Sequence, residues 1–354
     1  MAENTSVLTF KDLLLRVAEY YGVASYDSNG MPYVPVDDAF NLYECKKIVN
    51  DAVRMLISRP PPTGRWRWMD RVHEVLFVPA GTGSDNIDSD AARYMLPSGF
   101  AGSVNGDITY VADSGHGTEI EWRDINCINQ RRQTSVLTGY PDVAAVTPYQ
   151  PTTKTLGSAR RWEIIFDPAP QNADTVQFPY TLHFDKMLAE GGTADSASTT
   201  TLVDATRLEP DDFFNTWIVY IIAGTGIGSY AVVTDYTKST GTFTVSDWLD
   251  EEGTAGGTDP STDSKYLVVP ADNLPPTPLA YDEYVLSACL AKCEMEAEDI
   301  ELGTRNVEYW QNTALPAAWE LDRKSAPRKL GKMSNGTQCP MAGRRMWNNV
   351  TFNT

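Results

Sequence analysis

The sequence is poor in the residues that carry most enzymatic chemistry. Its 354 residues include three histidines (His73, His116, His183) and five cysteines (Cys45, Cys127, Cys289, Cys293, Cys339). An odd, scattered cysteine set is no disulfide framework. It points to a reducing compartment, with thiols serving as small apolar side chains. Cys289 and Cys293 lie four apart on one predicted helix face, but without histidine partners a zinc set is hard to assemble, and core packing is the role expected of them. No apolar run is long enough to span a bilayer. The opening stretch MAENTSVLTFKDLLL has acids where a signal peptide needs bases, so no export signal is expected. GxSxG, Walker and HExxH patterns are absent. Gly224-Thr225-Gly226-Ile227-Gly228 imitates a dinucleotide loop, but strand-like Ser229-Tyr230-Ala231-Val232-Val233 follows where a helix would be needed, so a hairpin turn is predicted. The carboxylate pairs Asp211-Asp212 and Glu251-Glu252 fall in acidic loop sequence, where solvation is the default. No catalytic residue, metal site or cofactor is assigned, and a protein that is not an enzyme is expected.

What is present is an ordinary globular composition, 42% hydrophobic and 21% charged, with charge unevenly spread. Net charge is −18, yet residues 323–354 carry Arg323, Lys324, Arg328, Lys329, Lys332, Arg344 and Arg345 with no acid among them. An acidic body argues against wrapping nucleic acid. The basic tail also holds Trp347 and Phe352, which a purely solvated segment has no use for, so docking of this arm into a partner is expected.

The clearest periodicity lies in residues 37–68. Leu42, Cys45, Ile48, Val49, Ala52, Val53 and Leu56 form one helical face, Asp37 and Asp38 are candidate N-caps, and Pro60, Pro61 and Pro62 stop the helix. An earlier helix is predicted over residues 9–21, with Thr9 and Asp12 as a capping pair and Gly22 as its end. Alternating, branched sequence predicts short strands at 72–79, 93–96, 107–111, 143–147, 161–166 and 175–184, with a short helix near 123–134. Residues 189–273, rich in Gly, Ser, Thr and Asp, predict an all-β insertion with strands at 216–222, 230–237, 242–245 and 265–269. Helix character resumes at Thr277-Pro278, with a stripe of Leu286, Cys289, Leu290, Cys293, Ala297 and Ile300 running down to Gly303. A further helix is capped by Thr304 and broken or kinked by Pro316.

The fold class read from this pattern is α+β. N- and C-terminal helices (1–71 and 274–322) form a small bundle, antiparallel β segments (72–188) and the inserted small all-β domain (189–273) lie between, and an extended C-terminal arm (323–354) follows. Nine tryptophans are unusual, and Trp66, Trp68, Trp122 and Trp162 are candidate subunit-interface residues, because Trp offers large contact area at little entropy cost.

Several stretches taken together, ARYMLPSGF, GDITY, EWRDINCINQ, TGYPDVAAVTP, RRWEIIFDPAPQNADTVQFPYTL and YDEYVLSACLAKCEMEAED, resemble the head-to-tail adaptor (connector) proteins of tailed bacteriophages. The matching elements are Leu96-Pro97, the Gly139-Tyr140-Pro141 turn and Pro168-Ala169-Pro170 before a Tyr-containing strand. The resemblance implies a structural virion protein of the neck, assembled in host cytoplasm. It implies a ring of about twelve copies under the portal protein, holding a tail or nozzle component and passing double-stranded DNA without reading it. In such proteins the arm docks on the portal, which implies that role for the basic residues of 323–354 with Trp347 and Phe352 as anchors. No membrane contact is expected. The alternatives are a tail-associated receptor- or glycan-binding protein, through residues 189–273, or a tail hydrolase.

Overall fold

A computed structural model describes residues 7–111, 119–133, 135–149, 161–297 and 302–324. Among these lie six helical segments: α1 (Phe10–Tyr21), α2 (Ala39–Ile57), α3 (Ile125–Arg131), α4 (Asp282–Glu296), α5 (Arg305–Tyr309) and α6 (Leu315–Lys324). Many short strands accompany them, so the class is mixed α+β. No described helix is long and apolar enough to cross a membrane.

Local chemistry sets the helix ends. Thr9 and Asp12 form a reciprocal capping box on α1, and Gly22, at φ 79°, closes it in the left-handed conformation that glycine adopts without strain. Asp38 caps α2 by accepting the N–H groups of Phe40 and Asn41, and the helix stops at Ile57 ahead of the three prolines. Pro316 lacks the amide hydrogen that a continuing ladder needs, and a π-helical turn, Trp310–Ala314, joins α5 to α6 just before it.

The N- and C-terminal helices share one core. Leu13, Leu14 and Val17 of α1 meet the whole predicted stripe of α2, Val285, Cys289 and Cys293 of α4, and Trp310 and Ala318 of the last helical stretch. Polar contacts across the same junction join residues far apart in sequence. The Leu8 N–H donates to Asp282 (2.9 Å) and the Tyr20 hydroxyl to Glu294 (2.7 Å). Glu294 also accepts the N–H groups of Asn306 (3.0 Å) and Val307 (2.9 Å), so it caps α5 from a neighbouring helix. Burial acts to raise its pKa, but these hydrogen bonds outweigh it and hold the carboxyl below its ordinary value.

The C-terminal stripe needs correction. α4 runs from Asp282, after a 3-10 turn over Leu279–Tyr281, to Glu296, rather than from Thr277-Pro278 to Gly303; Ala297 is its C-cap and Ile300 lies outside the described residues. Its buried residues include Val285, Ala288, Cys289, Ala291 and Cys293, whereas Leu286 and Leu290 are only half-buried. Small side chains let α2 approach closely, so the face toward the core is the small-residue face rather than the most hydrophobic one.

The middle of the chain is a β-sandwich. One sheet has Asp70–Leu76, Thr175–Leu182 and Phe100–Val104 in that order, with Thr109–Tyr110 also on the central strand. The other runs Asn86–Ile87, Asp90–Met95, Trp162–Asp167, Val143–Pro148, Glu121–Trp122. Alternate residues face inward: Val176, Phe178 and Tyr180 meet Tyr94, Ile164 and Phe166. The opposite face of the second sheet, with Val143, Ala145 and Ile165, is covered by Ile128 of α3. Pairing departs from the all-antiparallel expectation at two short places. Val143 pairs in parallel with Glu121, and Ala169 with Thr138.

Residues 190–269 form a seven-stranded sheet, ordered Glu190–Thr193, Lys265–Val269, Ile218–Ala223, Tyr230–Thr237, Thr242–Val245, Thr201–Val203, Ser196–Ala197. The sheet curls on itself. Phe243 and Tyr266 stand three strands apart, roughly 14 Å on a flat sheet, yet their ring centroids are 5.5 Å apart. The glycine-rich stretch is a hairpin connection, as predicted, with Gly224, Gly226 and Gly228 at φ 80°, 82° and 88°. The outer side of Lys265–Val269 joins the helical core through Leu267 and Val269. Two polar clamps reinforce that junction. Asn50 accepts the Met187 N–H (2.7 Å) and donates to its carbonyl (3.1 Å), and Lys46 reaches Ala189 O (2.8 Å) and Glu190 (2.9 Å).

Candidate docking site at the root of the C-terminal arm

The residue that ends the body is fixed by a buried carboxylate. Asp322, only 1% exposed, accepts the Arg67 N–H (3.1 and 3.3 Å) and the Tyr281 hydroxyl (3.4 Å). Burial and the adjacent Asp322 charge push the Tyr281 phenol well above its ordinary range, so it stays a donor. Trp319 adds a second tie by donating its indole N–H to Arg59 O (3.0 Å), and the Arg59 guanidinium lies 4.7 Å from the centre of the Trp310 ring. The last helix is thus locked to the turn that follows α2. Helix α6 takes in Arg323 and Lys324, the first two residues that the sequence pattern gave to the arm.

Of the predicted arm residues, Arg323 is exposed on α6 and Lys324 is its last residue. Arg328, Lys329, Lys332, Arg344, Arg345, Trp347 and Phe352 lie outside the described residues.

The four tryptophans go to two places. Trp66 is 1% exposed within the helical core, donates to Ile57 O (3.2 Å) and meets Tyr281 edge-on at 6.0 Å. It is committed to the core of its own chain and has no surface to offer a partner. Trp68, half-buried beside it, stacks on Phe184 at 5.8 Å. Trp122 and Trp162 are half-buried on the sandwich. Trp122 donates to Gly106 O (2.8 Å) and meets Phe178 edge-on, while Trp162 lies over Gly102, whose φ of 88° and missing side chain leave room for the ring. The structure therefore gathers Trp66 and Trp68 near the arm root and leaves Trp122 and Trp162 elsewhere.

Two clefts border this region. One, about 340 Å³, is walled by Pro61, Pro62, Pro316 and Trp319 with Arg67 and Arg323 at its rim. The other, about 880 Å³, runs between α1 and α4 and is floored by Leu8, Leu279, Leu286 and Leu290, with Glu19 and Glu283 beside it. Sequence reasoning missed Asp322, Arg67 and the two clefts. An acid near a helix end carries no pattern that announces burial; only the packing of Arg67 and Tyr281 around it does so.

The predicted carboxylate pairs lie in turns and make local contacts. Asp211 accepts the Lys238 backbone N–H (2.7 Å), Asp212 accepts a side-chain N–H of Asn215 (2.9 Å), and Glu251-Glu252 occupy a turn. Cys289 and Cys293 are fully buried in the helical core, as the packing role requires. No protein-family model matches this chain, and no curated protein matches it.

Proposed function

We propose that this chain is a structural head-to-tail adaptor of a tailed-phage virion. In this reading copies form a ring of about twelve beneath the portal protein, in the virion neck, and hold the next tail component. The arm from residue 325 onward docks on the portal, with Arg328, Lys329, Lys332, Arg344 and Arg345 as its charges and Trp347 and Phe352 as its anchors. The observation that carries the reading is the convergence of the N- and C-terminal helices in one core, with the pinned Asp322 shortly before a basic segment that holds Trp347 and Phe352. Such a base keeps the cost of ordering confined to the arm, and that lowers the price of docking. Charge distribution fits as well. All 47 acidic residues precede Arg323, so a channel built from such bodies repels the DNA backbone and lets it slide.

The test is deletion of residues 325–354. Expected is a folded body, by circular dichroism and thermal melt, that no longer co-sediments with portal rings. Undiminished co-sedimentation by the truncated chain refutes the arm's role. Failure of the full-length chain to bind portals at all refutes the reading as a whole.

A further inference from the structure

We infer that the cleft between α1 and α4 is the seat of the first stretch of this chain's own arm, Arg328–Leu330. The argument begins with what the cleft exposes. Leu290 faces it half-buried and Leu279 is 54% exposed, so an apolar floor lies open on the helical unit. Glu283 and Glu19 stand exposed at its edge, and Arg16, the cation of the lining, already lies 3.6 Å from Glu19. An occupant must therefore bring positive charge next to an aliphatic side chain. Arg328-Lys329-Leu330 has that order.

Position favours the same segment. The arm leaves α6 two residues after Asp322, which is bonded to Tyr281, and the neighbours of Tyr281 on either side, Ala280 and Asp282, line the cleft. From Asp282 to Leu290 the cleft runs about 12 Å along α4. Four to six extended residues cover roughly 13–20 Å, which brings residues 328–330 alongside Glu283 and Leu286. Tethering so near the mouth gives an effective concentration in the millimolar range, so even a weak seat fills. The seat itself does not depend on the portal reading. If that reading holds, the seat keeps Arg328 and Lys329 on the body until the portal takes them over, and residues 331–354, with Arg344, Arg345 and Trp347, span roughly 80 Å to reach it.

The test uses the full-length chain with Leu330→p-benzoylphenylalanine, irradiated as a mixture of isotopically heavy and light protein. The expected result is cross-links to peptides of α1 and α4 within one chain, lost in a Glu283→Lys, Leu290→Asp background. In that background trypsin cleaves after Lys329 about tenfold faster than in the parent, since cleavage follows the open population. Heavy-to-light cross-links place the segment on a second copy and overturn the proposal, as do cross-links outside the cleft or unchanged cleavage. Portal co-sedimentation of the same variants reports on the proposed function separately, since loss of the seat leaves residues 331–354 in place.

Discussion

Trp66→Ala discriminates a core residue from an interface residue. At 1% exposure this side chain gives up close to all of its contact with water on folding. A Trp buries about 200 Å², worth about 5 kcal/mol at 25 cal/mol per Å² and less against a compact unfolded state. The substitution also removes an edge-on contact with Tyr281 and the donor to Ile57 O, a helix-end carbonyl with no partner inside α2. A loss of about 3–5 kcal/mol is expected. Trp66→Phe separates the parts. It keeps most of the ring's volume but strands the carbonyl, for about 1–3 kcal/mol. The assay is urea unfolding of the isolated protein at low concentration, followed by far-UV circular dichroism and repeated at tenfold higher concentration. A shift in midpoint that appears only at the higher concentration, or a loss for Trp66→Ala below about 0.5 kcal/mol, refutes the burial argument and returns Trp66 to the subunit interface.

Three further outcomes are expected. Burial acts to raise the Asp204 carboxyl, but hydrogen bonds from Thr206 and Tyr266 and the nearby Arg207 charge outweigh it and hold it below its ordinary value. Its stabilisation is therefore complete above the unfolded carboxylate's pKa of about 4 and drains as pH falls through the folded value; Asp204→Asn flattens this acid limb, and parallel pH–stability curves for the two proteins refute it. Burial pushes the Cys45 and Cys293 thiols up to about 12 and Cys289 higher, so in a Cys339→Ser background a maleimide at pH 8 labels half-buried Cys127 first. Rapid labelling of three or four thiols in the folded protein contradicts this. Gly241→Ala places a Cβ 1.9 Å from the Asp204 carbonyl oxygen at φ 62°, and at least about 2 kcal/mol is lost. Gly256→Ala, at φ 104° with open space around it, costs about 1 kcal/mol, and equal losses at the two positions rule out the clash as the cause.

Periodicity and end signals carried the helices near the N-terminus. Every apolar residue predicted for α2 is buried, and Thr9, Asp12, Gly22 and Asp38 perform their predicted capping. Three strands of the 190–269 sheet, Tyr230–Thr237, Thr242–Val245 and Lys265–Val269, match their predicted bounds. The strands that escaped notice, such as Phe100–Val104 with its Gly102 and Ala169–Pro170, are held by neighbours rather than by their own preference.

Local sequence decided wherever the cause of structure lies within one turn of helix or one hairpin. A proline run, a capping pair and a β-branched alternation each act over a few bonds. Tertiary structure alone decided which side of α4 faces inward, because that depends on how near α2 can come to Ala288 and Cys289. It also decided that Asp322 is buried, since its partners Arg67 and Tyr281 lie 255 and 41 residues away. And it opened the cleft of Leu286 and Leu290, because two helices brought together by the shared core leave a strip between them that neither helix fills and that no stretch of either helix encodes.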